Sequence, residues 1–151
     1  MGVRLVLADH NDTVRHLLKA LLESQSEWRV VGEAKDGRDA IEKTRELKPD
    51  VVILNFRMPG LNGLDATRAM VKELPSTVVI ILTVHDSKTL VRLALRARPR
   101  CCLLKTEVTQ RLVQVVDSLI DPQHVPLLTQ IPKNGGTKEV STRPPKKNLK
   151  N

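Results

Sequence analysis

Apolar positions along the first 120 residues alternate between two spacings. Short runs of Val, Leu and Ile mark strands, and stretches of 3.6-residue period mark helices. Val3–Ala8 reads as a buried strand. Val14, Leu17, Leu18, Leu21 and Leu22 then predict the inward side of a helix, with Asn11 or Asp12 as its N-cap. Trp28–Ala34 predicts a second strand, and residues 38–47 a second helix with Ala40, Ile41, Thr44 and Leu47 inward. Pro49 stops it. Val51, Val52, Ile53 and Leu54 are apolar without interruption, as in a central strand covered on both faces. A Pro-Gly-Leu-Asn-Gly turn at 59–63 opens a third helix through Leu74, ended by Pro75. Residues 78–82 are again continuously apolar, and Asp86 or Ser87 can cap a helix to about Ala97. Cys101–Leu104 predicts the fifth strand and residues 109–120 the fifth helix, with Leu112, Val115, Val116 and Leu119 inward.

Five β/α units with such strands imply an α/β fold: a doubly wound, five-stranded parallel sheet with helices on both faces. Sheets of this kind place their sites at the carboxyl ends of the strands. That rule selects Asp9, His10, Asn55, Thr83 and Lys105.

Composition changes this picture in three places. Trp28 and Phe56 are the only aromatics, so aliphatic side chains must fill the core. No apolar run approaches the roughly 20 residues of a membrane span, and the first residues lack a secretory-signal layout, so a cytoplasmic protein is expected. Cys101 and Cys102 are adjacent, with Cα atoms about 3.8 Å apart, too close for a relaxed disulfide. They read as small apolar residues of a buried strand in a reducing compartment. The four histidines stand singly and offer no zinc set.

The net charge of +8 is uneven, since residues 121–151 hold half of it. That stretch contains Lys133, Lys138, Arg143, Lys146, Lys147 and Lys150, with five of the nine prolines and the Gly135-Gly136 pair. The expected organisation is one domain over 1–120, then a basic, Pro/Gly-rich, disordered tail over 121–151.

The stretches Val3-Arg4-Leu5-Val6-Leu7-Ala8-Asp9, Val30-Val31-Gly32-Glu33-Ala34, Pro49-Asp50-Val51-Val52-Ile53-Leu54, Arg57-Met58-Pro59-Gly60-Leu61 and Leu103-Leu104-Lys105 follow one another in order. In these the chain resembles a response-regulator receiver domain of two-component phosphorelay signalling. It looks most like receivers that precede a helix-turn-helix transcription-factor module. The resemblance covers about residues 3–120 and implies a flavodoxin-like sheet of order 2-1-3-4-5. In such receivers an aspartate ending the third strand takes a phosphoryl group from a histidine kinase. Two acids after the first strand help hold Mg²⁺, a Thr or Ser contacts the phosphoryl group, and a Lys neutralises it. The resemblance assigns Asp9 to the first acid, Thr83 to the hydroxyl and Lys105 to the lysine. His10 stands at the second acid, Asn55 at the phosphoacceptor, and Cys102 where an aromatic usually reports the switch.

These departures change the chemistry. A carboxylate can attack phosphorus to form an acyl phosphate, whereas a neutral amide is a poor nucleophile. Mg²⁺ requires hard oxygen ligands. Three carboxylates and one lysine would sum to −2, but Asp9 and Lys105 sum to zero. Mg²⁺ binding is therefore expected to be weak or absent, with no other cofactor and no enzymatic activity. Plainer roles also fit these residues. Asp9 and Lys105 form a structural ion pair bridged by Asn55, Thr83 simply ends its strand, and His10 is an exposed loop residue. Asn55 also fits an engineered replacement of the acceptor aspartate in a working receiver.

The leading expectation is a pseudo-receiver that binds a protein partner, or a second copy, without phosphate control. The resemblance places that contact on residues 86–120, where Arg92, Arg96, Arg98, Arg100 and Arg111 form either a solvated face or a site for an acidic partner. The alternative is a truncated or tail-mediated nucleic-acid-binding regulator, its tail making salt-sensitive phosphate contacts without base stacking.

Overall fold

A computed structural model of the chain describes residues 2–84 and 88–120, the side chain of Leu90 excepted. The basic tail and the candidate caps Asp86 and Ser87 lie outside the described residues. Strands β1 (Val3–Ala8), β2 (Trp28–Ala34), β3 (Val51–Asn55), β4 (Val78–Thr83) and β5 (Cys101–Leu104) alternate with helices. The helices are α1 (Asp12–Glu23), α2 (Gly37–Leu47), α3 (Gly63–Glu73), α4 (Lys88–Arg96) and α5 (Val108–Ile120), the last entered through a single 3-10 turn at Lys105–Glu107. All pairings are parallel, in the order β2-β1-β3-β4-β5. This is the flavodoxin-like sheet.

Strand alternation divides the core in two. Leu5, Leu7 and Ile53 pack with Leu18 and Leu22 of α1 and Leu112 and Val115 of α5. Their neighbours Val6, Val52 and Leu54 turn to the other face, against Ile41 of α2 and Ala66 and Met70 of α3. Apolar side chains are needed on both faces, which is why β3 and β4 are buried at every position.

Helix starts are set by side-chain caps. Asn11 Oδ1 accepts from the Val14 N–H at 3.0 Å, Asp36 from Asp39 at 2.8 Å, and Asn62 from Asp65 at 2.9 Å. The Asp36 cap starts α2 at Gly37, one residue before the apolar period suggests. Lys48, at φ 45°, closes its other end ahead of Pro49.

One core assignment is overturned. Leu17, expected inward, is 66% exposed. The buried row of α1 is Arg15, Leu18 and Leu22, while Val14 and Leu21 form a half-buried flank and Leu17 stands beyond it. Five large apolar residues in nine positions span more of the helix circumference than the sheet can cover. In α5, Leu119 is half-buried and Ser118 takes the buried position, its hydroxyl donating to Val115 O at 2.9 Å.

Candidate functional site

The parallel topology brings Asp9, Asn55, Thr83 and Lys105 together at the carboxyl edge of the sheet, as expected. Asp9 follows β1 and its N–H donates to Ala34 O of β2 at 3.0 Å, which fixes where the carboxylate emerges. That carboxylate is 1% exposed, and both oxygens are engaged. Lys105 Nζ donates to Oδ2 at 2.7 Å, and the Asn11 N–H donates to Oδ1 at 2.9 Å. The Lys105 side chain is only 18% exposed, so the pair faces little competing water.

Asn55 closes β3 but does not bridge this pair. Its Nδ2 instead donates to Arg57 O at 2.7 Å, tying the amide to the loop that follows. Glycine completes that loop: a Cβ at position 63 would lie 2.3 Å from Asn55 O, so only Gly63 permits the approach. The Gly63 N–H donates to Phe56 O and the Phe56 N–H to Leu82 O. Thr83 is buried at the end of β4, in register with Leu104.

His10 lies at the rim, its side chain 52% exposed and Nδ1 3.6 Å from Asp9 Oδ1. That separation exceeds a hydrogen bond. Cys102 is fully buried in β5 opposite Ile81, and burial pushes its thiol up to about 12. Neither cysteine is bridged.

The periodicity did not mark Arg15, which ties this end of the molecule together from within the buried row of α1. Its Nη1 donates to the Asp9 backbone oxygen at 2.9 Å, Nη2 to Asp12 at 2.7 Å and Nε to Glu33 at 3.1 Å. The Arg15 hydrogen bond, and then the charge of Lys35, hold the Asp12 carboxyl below its ordinary range. A cation three residues before Leu18, on the same helical row, is the signal that could have found it.

The five arginines expected on one face are separated. Arg92 and Arg96 are exposed on α4, and Arg98 is exposed in the following turn at φ 62°. Arg100 lines a cavity of about 780 Å³ at the amino ends of the strands, with Trp28, Asp50 and Asp117. Arg111 pairs with Glu107 at 3.4 Å near the opposite end of the sheet. Strand β5 runs between the two ends, and residues 100 and 111 sit on either side of it.

The donor set does not suit Mg²⁺. Asp9 is spent on Lys105 and Asn11, Asn55 presents an N–H where an oxygen is wanted, and His10 brings nitrogen. Among the described residues no three His, Cys, Asp or Glu side chains are grouped to hold a metal.

The response regulator receiver domain matches residues 5–117. The chain belongs to this family. It is therefore a receiver of the kind used in two-component signal transduction. The transcriptional regulatory protein LnrK of Bacillus subtilis is 34% identical over 114 residues, covering 76% of this chain and 52% of LnrK. Chemotaxis protein CheY of Thermotoga maritima is 31% identical over 119 residues, 79% of this chain and 98% of CheY. Among solved structures, the signal receiver domain of a putative response regulator NarL from Mycobacterium tuberculosis superposes with a TM-score of 0.74 at 31% identity. That match covers 78% of this chain and 95% of the NarL domain. The chain spans about half the length of several curated transcriptional regulators that it matches. Among the described residues of this receiver, no helix is long and apolar enough to cross a membrane.

Proposed function

We propose that this receiver works without phosphoryl transfer, as a non-enzymatic binding module whose helical faces engage a partner independently of phosphorylation. The observation that carries this reading is Asn55. At the end of β3 stands an amide, hydrogen-bonded through its nitrogen to Arg57 O, in place of a free carboxylate. A neutral amide of that kind supplies no attacking oxygen. The engaged oxygens of Asp9 support a second part of the reading, that the pocket works without Mg²⁺. The buried, unbridged Cys101 and Cys102 accord with a reducing, cytoplasmic setting.

Incubation with acetyl phosphate and Mg²⁺, followed by intact-mass measurement, tests the proposal. The expected result is an unchanged mass. Gain of one phosphoryl group mapped to residues 54–57 would overturn it.

A further inference from the structure

We propose that the exposed row Lys88, Arg92 and Arg96 on α4 is a docking strip for the phosphates of duplex nucleic acid. Spaced four residues apart, the three cations follow one line along the helix and span about 12 Å. One strand of B-DNA presents three to four phosphates over about that length of axis.

The other helices of the molecule supply the contrast. Arg15 pairs with Asp12 in α1 at 2.7 Å, Lys43 with Asp39 in α2 at 3.1 Å, and Arg68 with Asp65 in α3 at 3.1 Å. Arg111 of α5 pairs with Glu107 of the turn before it at 3.4 Å. Among the described residues, the row on α4 has no such arrangement. Residues 88–106 contain Lys88, Arg92, Arg96, Arg98, Arg100 and Lys105 and not one acid. Every position three or four residues from Arg92 is Lys88, Thr89, Leu95 or Arg96. Like charges at this spacing repel along a helix, and α4 carries that repulsion without internal relief. The helix end does not require these side chains either, because the Ala97 and Arg98 N–H groups donate to Ala94 O and Leu95 O.

The chemistry around the row favours a polyanion over a protein surface. Protein interfaces are anchored by buried aromatic, Met or Arg side chains within an apolar patch. Beside this row Leu93 and Leu95 are half-buried and no aromatic is present. Unanchored cations give salt-sensitive contacts to phosphates. Trp28 is buried and Phe56 half-buried, so neither offers the stacking platform that single strands use, which selects a duplex. The row also descends toward the end of the molecule that holds Ile120, since Arg100 and Ile120 line the same cavity.

The test is fluorescence anisotropy of the full chain with unrelated 30-base-pair duplexes across a salt series. Non-specific binding with Kd on the order of 10⁻⁴–10⁻⁶ M is expected. In the R92Q/R96Q variant the slope of log K against log salt should fall by about 2, equally for every sequence. R92K/R96K should keep the parent slope, which separates lost charge from lost structure. K146Q/K147Q probes the tail separately. The proposal is overturned if no duplex binds at low salt, or if R92Q/R96Q leaves the slope unchanged while K146Q/K147Q lowers it. Tighter binding of a polyglutamate peptide at equal ionic strength would assign the row to an acidic protein instead. A dimer that R92Q/R96Q dissociates would assign it to a second copy.

Discussion

An amide at position 55 turns a donor toward Arg57 O, 2.7 Å away, where a carboxylate would set oxygen against oxygen. Asn55→Asp should therefore lower stability by about 1–3 kcal/mol, the cost of leaving a buried polar group without its partner, measured by urea unfolding. The same substitution supplies a nucleophile but leaves His10 in place of an acid. Labelling by acetyl phosphate should be weak or absent for Asn55→Asp, and measurable and EDTA-sensitive when His10→Asp is added. Equal labelling of the two variants would remove His10 from the account. Cys102 offers a second residue-level check. With its thiol pushed up to about 12 by burial, it should resist iodoacetamide in the native state at pH 8 and react only on unfolding.

At the scale of elements, apolar patterning placed the strands well because burial on both faces leaves uninterrupted runs at 51–54 and 78–82. It failed where a helix is broader than its contact, at Leu17. It also passed over Arg15, whose partners lie on α1, on β2 and at the end of β1. A period along one helix carries no information about such partners. Arg15→Ala should cost about 1.5–3 kcal/mol through lost charge-assisted hydrogen bonds, with the decrease read in denaturant midpoint. The turn from β3 into α3 is equally demanding. Gly63→Ala places a methyl group against the Asn55 carbonyl and should destabilise by about 1–3 kcal/mol, seen as a lower melting temperature. The carboxyl-edge site was legible because topology alone assembles strand ends. The arginine surface was not, because residues 92–111 cross the whole sheet through β5.

For the whole molecule, ligand linkage provides the test of the metal-free pocket. An ion present at 100 times its Kd would add about 2.7 kcal/mol, a melting shift on the order of 10 °C for a domain of this size. No such rise is expected at millimolar Mg²⁺, and a rise abolished by Asp9→Ala would show that the pocket holds the ion after all. The cavity at the amino ends of the strands allows the two ends of the domain to be observed separately. Trp28, the chain's one tryptophan, lines that cavity, and the Asp9–Lys105 pair sits roughly 20 Å away across six residues of strand. Indole emission is thus a natural optical probe confined to one pole. Chemistry at the opposite pole should leave its wavelength unmoved, whereas anything entering the cavity, or loosening β2 from α1, should change its colour.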